Sequence, residues 1–420
     1  MLERLGHFLV RRRWWVLAGT LIVVLLSGAL GGNVAEHLKA GGFDSPDVES
    51  ERATQVLREK FGQAPPNFIV LVTAKTGTVD TDPVRPLGVR VTNELSQEEG
   101  VGQVISHWSL GPSSPLVSKG RGRAMIVAEI QGDDAERNEI AERLIPKYTY
   151  DTEAAAVRVG GFEAIFSEVS EQIEADLATA ESIAIPVTLV LLIVVFGSVV
   201  AAVLPVAIGI IAILGTFLIL RLIAGVTDVS VFALSMVTAM GLGLAIDYSL
   251  FIVSRFREEM RKGVDTEDAI VTTMKTAGRT VMFSGVTVMV SLAALLVFPL
   301  YFFKSFGYAG IGVVATAIIG ATVFLPALLA VLGPRVDKWA LWRRRAKEVG
   351  EGFWHRLAVL VMRRPIPIAS GVVVVLLLLG APFLHVDLGL PDERVLPPEA
   401  ETRQVHDVIR RDFPSEEVQS

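Results

Sequence analysis

Between Ser182 and Leu220 the chain runs for 39 residues without an Asp, Glu, Lys or Arg. A helix rises about 1.5 Å per residue and needs about 20 apolar residues to cross roughly 30 Å of hydrocarbon. The block is therefore too long for one span and right for two, with Gly197-Ser198 as the turn between them. Backbone in lipid must satisfy its own hydrogen bonds, so such segments become helices. The blocks Trp14–Ala35, Val229–Ser254, Thr280–Phe303, Ser305–Pro334 and Pro365–Leu384 each hold one more span, which makes seven. With 51% hydrophobic residues and a mean hydropathy of +0.51, this is not the composition of a soluble globular protein.

The same reading excludes several kinds of chemistry. There is no cysteine, hence no disulfide, thiolate metal site or Cys nucleophile. The six histidines are scattered without ligand spacing, so neither a metal site nor a cofactor is expected. No Walker loop, GxSxG elbow or HExxH is present. No nucleophile, base and orienting group stand together, so the chain is not expected to be an enzyme.

Charge gives the orientation, because Lys and Arg gather in cytoplasmic loops. The N-terminus, with Arg4 and Arg11-Arg12-Arg13, is basic, and so are 255–279 and 335–364, the last with Arg343-Arg344-Arg345. Seven spans put all three on one side. Residues 1–35 then form a cytoplasmic N-terminus and first span, read as an uncleaved anchor, with Trp14 and Trp15 at the interface. Residues 36–180 form an extracytoplasmic domain, 181–334 hold spans two to six, and 335–364 is a cytoplasmic loop. Its tryptophans Trp339, Trp342 and Trp354 suggest an interfacial amphipathic helix. Calmodulin or nucleic-acid binding is a competing reading of that loop, disfavoured by the spans on both sides; no nucleic-acid partner is expected. Span seven occupies 365–386, and 387–420 begins a further external segment. The compartment is the plasma (inner) membrane.

The external domain alternates in type. Pro46–Phe61 has helical spacing, Phe68–Val72 reads as a strand and Val84–Leu95 as a helix. Val101–Ile105 and Met125–Ile130 are strands, Asp134–Lys147 a helix and Ala155–Val159 a fourth strand. The order β-α-β-β-α-β is the ferredoxin-like, split βαβ arrangement. After Gly160-Gly161, Phe162, Ile165, Phe166, Val169, Ile173 and Leu177 form one apolar stripe on a helix that runs into the membrane. The outer loop Phe298-Pro-Leu-Tyr-Phe-Phe303 is read as an aromatic belt, with dipping into the leaflet as the alternative.

One span breaks its own rule. In Met240-Gly-Leu-Gly-Leu-Ala-Ile-Asp247-Tyr248 a carboxylate sits in an apolar run. Such a residue costs roughly 2.5–3.5 kcal/mol at the centre of a membrane helix on insertion scales and marks a proton or ion pathway by default. A packing contact with a neighbouring helix is the competing role for Asp247, and a core aromatic with a satisfied hydroxyl is that of Tyr248. Gly241 and Gly243 let a neighbouring helix approach closely, for packing if nothing else.

The chain also repeats itself. Shifted by 352 positions without a gap, Arg4-Leu5 meets Arg356-Leu357 and Arg11-Arg12 meets Arg363-Arg364. Pro46, Glu49, Val56, Arg58 and Phe61 meet Pro398, Glu401, Val408, Arg410 and Phe413. This predicts a duplicated protein, of which 387–420 opens a second external domain, and parallel repeats are a transporter signature. It implies a missing second half or a partner half-chain.

The stretch Gly241–Tyr248, its tail Phe251-Ile-Val-Ser-Arg255-Phe-Arg-Glu-Glu259, and Gly278-Arg-Thr-Val-Met-Phe-Ser284 resemble the MmpL branch of the resistance-nodulation-division superfamily. The resemblance covers the whole chain as an N-terminal half. It implies proton-motive-force-driven export of lipids or other hydrophobic molecules, with Asp247 and Tyr248 as the relay pair and Ser284 close to it. Bonding of Ser284 to its own backbone is the alternative for that residue. The family carries a second Asp-Tyr pair in a tenth span, beyond Ser420. Partners implied are a lipid or hydrophobic small molecule, protons, membrane lipids and other copies of the chain. Two other classes stay open: a protein-translocation auxiliary of the same superfamily, and a non-transporting scaffold or sterol-sensing-like receptor.

Overall fold

One helix ties the molecule together. In the computed structural model, α6 runs unbroken from Phe162 to Phe196, 35 residues, or about 50 Å. That exceeds the hydrocarbon thickness by about 20 Å, so its upper part stands outside the apolar layer and carries the external domain. The structure describes residues 2–39, 41–42, 65–132, 134–339, 353–385 and 393–413, with isolated helical positions between 49 and 60. Most of the predicted Pro46–Phe61 helix, Trp342 and Arg343-Arg344-Arg345 lie outside the described residues, and so do the side chains of Ile173, Leu177 and Trp354.

Ahead of α6 come α1 (Leu2–Arg11), α2 (Arg13–Gly31), β1 (Phe68–Ala74), α3 (Val84–Leu95), β2 (Val101–Ser106) and the single turn α4 (His107–Leu110). Then follow β3 (Arg123–Ile130), α5 (Asp134–Tyr148), the two-residue β4 (Tyr150–Asp151) and β5 (Ala155–Gly160). The five strands form one antiparallel sheet in the order β2-β3-β1-β5-β4. The fourth strand predicted from sequence is β5; β4 is an addition at the sheet edge.

Side chains alternate across a strand, and both faces of this sheet are covered. Phe68, Val70, Val72, Ile126, Ala128, Val157 and Val159 pack with Val91, Leu95, Ala141 and Leu144 of α3 and α5. Ile69, Leu71, Met125 and Val127 face the other way, onto Val405, Ile409 and Phe413. Val405 and Ile409 belong to α15 (Glu401–Asp412), near the end of the chain. The sequence reading placed this segment at the start of a second external domain. In the structure its helix packs on the first sheet, where it covers apolar residues that α3 and α5 cannot reach from the opposite face.

In the apolar layer α6 ends at Gly197, whose φ of +67° closes the helix in the left-handed conformation glycine tolerates. Ser198 then caps α7 (Val199–Ala224). The remaining elements are α8 (Ala233–Arg261), α9 (Thr266–Thr273), α10 (Arg279–Ala293), α11 (Tyr301–Ile319) and α12 (Leu325–Leu332), then α13 (Phe353–Arg363) and α14 (Pro365–Gly380). A five-residue π turn, Gly320–Phe324, joins α11 to α12. Seven segments among the described residues are long and apolar enough to span a membrane. The core is the junction of α7, α8 and α11, which share Ile208, Ala212, Val237, Ala245, Val313 and Ala317. There Thr216 and Thr316 meet hydroxyl to hydroxyl at 2.9 Å. By contrast, no residue of α14 is buried.

The docking of α15 is sensitive to protonation. The Gly161 N–H donates to His406 Nε2 at 3.0 Å, which requires the neutral ring. Burial pushes the His406 pKa down, against a smaller upward pull from Asp407. A lowered histidine contributes docking energy that is complete above its free value, about 6.5, and is lost as the pH falls from there through the lowered value. Hydrogen exchange over 401–412, corrected for intrinsic rate, is expected to accelerate from pH 7.5 to 5.5. In His406→Gln, whose amide oxygen still accepts, the pH dependence flattens.

Candidate functional site

Successive residues of a helix point about 100° apart, and α8 uses this to part its two unusual side chains. Val237, Gly241, Ala245, Tyr248 and Ile252 face the bundle and are buried. Ala239, Gly243, Asp247 and Phe251 form an exposed stripe at four-residue spacing on the other side. Asp247 therefore opens outward, while the Tyr248 ring is only 5% exposed.

The Tyr248 hydroxyl is buried without a hydrogen bond of ordinary geometry. It lies 3.4 Å from where a Cβ on Gly285 of α10 would stand, a place where Ile318 also crowds in. Ser284, the residue before that glycine, is the polar group that approaches the hydroxyl, and Asp247 is near enough to act on it electrostatically. Ser284 is exposed and belongs to a row of hydroxyls on α10 with Thr280, Thr287 and Ser291. Thr287 and Ser291 donate back to Phe283 and Thr287 carbonyls at 2.9 and 3.0 Å. The structure thus brings the Tyr248 hydroxyl towards Ser284 of α10, while Asp247, next in sequence to Tyr248, opens on the exposed face of α8.

The two glycines part company. A Cβ on Gly241 would meet Ile213 at 2.8 Å and Val313 at 3.0 Å, so α7, α8 and α11 cross here at a distance only glycine permits. Gly243, expected to admit a neighbouring helix, has nothing within 4 Å of its Cβ position. It shares the outer stripe with Asp247, and no described helix approaches it.

Arg257 carries no mark in the sequence as a site residue. Its side chain is nearly buried at the far end of α8. It donates to the Phe196 carbonyl at 2.9 Å, pairs with Asp337 at 2.5 Å and lies 5.6 Å over the Phe196 ring. Ser198 donates to the carbonyls of Val336 and Lys338 at 2.9 and 3.0 Å. Together they pin the end of α6 to the helix that carries Asp247. Three arginines stand among the last seven residues of α8, 255–261, and nothing in their spacing tells which one turns inward.

The external domain holds a second polar cluster. Asp80 accepts from buried His107 at 2.9 Å and from Arg121 at 3.1 and 2.6 Å. Burial pulls the Asp80 carboxyl up, but the bonds from Arg121 and His107 outweigh it and hold the carboxyl below its ordinary range. This ties the loop after β1 to the β2–β3 connection. Among the described residues no three His, Cys, Asp or Glu side chains converge on a point where a metal could sit.

Comparison with known proteins adds the family context. The MMPL family profile matches residues 42–368. The trehalose monomycolate exporter MmpL3 of Mycolicibacterium smegmatis is 34% identical across 96% of this chain and 44% of its own length. The putative membrane protein SCO6666 of Streptomyces coelicolor is 36% identical across 99% of this chain and 58% of its own. The mycolic acid-containing lipids exporter MmpL11 of Mycolicibacterium smegmatis is 31% identical across 95% and 42%. The chain thus spans about half the length of the curated relatives it matches.

The glycine contrast gives a direct test of the packing. Overfilling a tight core costs about 1–3 kcal/mol, so Gly241→Leu should lower the melting temperature of the purified 420-residue chain clearly. Gly243→Leu, which enters open space, should leave it unchanged.

Proposed function

The chain belongs to the MMPL family, and from that premise we propose that it is one half of a proton-driven lipid exporter of the plasma (inner) membrane. The observation that carries this reading is Asp247, an ionisable group on the outer face of an apolar helix, with the buried Tyr248 next to it and Ser284 near the Tyr248 hydroxyl. A carboxyl in an apolar span marks a proton or ion pathway by default, and on this reading it takes a proton from the outer side and releases it inward. Tyr248 and Ser284 can each donate and accept, so they can pass a proton to and from the carboxyl without carrying net charge.

A half-transporter reading fits three features. The chain spans about half of its relatives' length, as with the 44% covered of the M. smegmatis MmpL3. The 352-residue shift aligns α13 and α14 with α1 and α2. α2 packs on α7 and α12, whereas α14 has no buried residue. A second bundle equivalent to the first would supply the surface that α14 lacks and cover the Asp247 stripe.

The substrate class is an amphiphilic lipid, in keeping with the printed activities of MmpL3 and MmpL11. Residues 36–180 act as an extracytoplasmic, ferredoxin-like porter domain; the strand order β2-β3-β1-β5 supports that assignment, and the basic loops support a cytoplasmic N-terminus. Conformational work passes along α6, which is continuous from the sheet to the Arg257 anchor.

The test is Asp247→Asn in the complete protein. The variant is expected to insert and fold as the wild type does while pH-gradient-driven lipid export falls to the level of cells lacking the protein. Export that persists in Asp247→Asn would remove the relay role and favour a scaffold.

A further inference from the structure

Residues 1–15 hold four arginines and a single acid, Glu3, and α1 sorts them onto two faces. On one face Gly6 and Leu9 are buried, and a Cβ on Gly6 would meet Val271 of α9 at 3.2 Å. Glu3 pairs with Lys275 at 2.7 Å and His7 with Glu267 at 3.3 Å. These contacts lay α1 along α9, the short helix between α8 and α10. Arg13 is engaged as well, donating to the Ala330 carbonyl at 3.3 Å. The other face carries Arg4, Phe8 and Arg11 at spacings of four and three, then Arg12, Trp14 and Trp15 where the chain turns into α2. All six side chains are exposed, Phe8 to 55% and Trp15 to 75%. Arg4, Arg11 and Arg12 have no side-chain partner among the described residues.

The internal repeat shows which part of this segment is kept. At the shift of 352 all three free arginines recur, as Arg356, Arg363 and Arg364 of α13 and its junction with α14, and all three are exposed again. The residues that pair α1 with the bundle do not recur: Glu3 and His7 meet His355 and Val359. The duplication has held the outward cations and let the inward contacts change, so the arginines answer to something other than the packing of α1.

Charge and shape together identify the occupant. Exposed apolar rings set among cations are the composition of a helix lying in a membrane interface, and tryptophans at the start of a span sit at headgroup level. A phospholipid offers an anion and hydrocarbon side by side, as this face offers guanidiniums and rings; an acidic protein surface would leave the rings unmatched. Guanidinium groups bind phosphate oxygens through paired N–H donors. A zwitterionic headgroup also brings its own cation, for which this face has no free carboxylate, so a net negative headgroup fits best. On the cytoplasmic placement of the N-terminus read above, we propose that the Arg4, Arg11 and Arg12 face of α1 is a binding site for anionic phospholipid headgroups of the inner leaflet.

Photocapture in vesicles of defined lipid tests this. The full-length protein with p-benzoylphenylalanine at position 8 is reconstituted in phosphatidylcholine that carries a trace of either radiolabelled phosphatidylglycerol or radiolabelled phosphatidylcholine, and is irradiated. Position 22, in the middle of α2 and 58% exposed, is the reference. Label at 8 from phosphatidylglycerol is expected to exceed that from phosphatidylcholine at least fivefold, about the worth of one basic residue at an anionic surface. At 22 the two lipids should label equally. Replacing Arg4, Arg11 and Arg12 together by Gln should abolish the preference at 8 and leave label at 22 unchanged, the latter reporting a correctly inserted α2. Equal label from the two lipids at 8 in the wild type would overturn the proposal. So would absence of label at 8, which would place the face against water or protein, and so would a preference that survives the triple substitution. The vesicles carry the same lipids in both leaflets and need no gradient, so the result reports on this face whatever the orientation of the chain or the fate of the Asp247 relay.

Discussion

The close crossing of α7, α8 and α11 at Gly241 is the contact on which the arrangement of the site depends. Without a hydrophobic drive between helices in lipid, their association rests on van der Waals contact and a few polar bonds. Here the backbones approach until a methyl group on Gly241 would strike Ile213 and Val313, and Thr216 and Thr316 join across the same seam. That contact fixes the rotation of α8. Once Gly241, Ala245 and Tyr248 face inward, Asp247 must face outward, since it precedes Tyr248 by one residue. The carboxyl is thus placed by the packing of its neighbours rather than by any partner of its own.

The same helix carries the mechanical connection. Arg257 lies ten residues beyond Asp247 and holds the last carbonyl of α6, the helix that reaches the sheet without a break. A buried guanidinium needs an anion and acceptors close by, and the Asp337 carboxylate and the Phe196 carbonyl engage its two terminal nitrogens. A rotation of α8 therefore cannot leave α6 unmoved at its base. At the other end the sheet is closed by α15, bound through His406 to the glycine that precedes α6 and through Asp412 to Arg123 of β3. The external domain is thus held both by its own span and by a segment more than two hundred residues away.

Much of this could be read from the residues, because it is local. The uncharged run 182–220 with Gly197-Ser198 at its turn predicted where α6 ends and α7 begins, and the alternating blocks of 68–159 predicted all but the shortest strand. The stripe at Phe162, Ile165, Phe166 and Val169 predicted a helix continuing into the membrane. Long-range packing was not legible in the same way. The direction in which Asp247 points, the open space at Gly243 and the inward turn of Arg257 depend on which helices neighbour α8, and periodicity carries no information on that. The position of α15 is an intermediate case. Phe68-Ile-Val-Leu-Val72 is apolar throughout instead of alternating, which is the pattern of a strand buried on both faces. It signalled a missing cover without naming the segment that supplies it.

If Asp247 works against a second half, the outer stripe of α8 is covered by protein when the chain is in its native assembly. Because the chain has no cysteine, single thiols report this directly. Gly243→Cys sits one turn from Asp247 in open space, and Val23→Cys on α2 serves as the lipid-facing reference, at a position 52% exposed. In native membranes treated with a lipid-soluble maleimide, the account predicts modification at 243 at least tenfold slower than at 23. Equal rates would mean that the stripe faces lipid, and that Asp247 has no second half to work against.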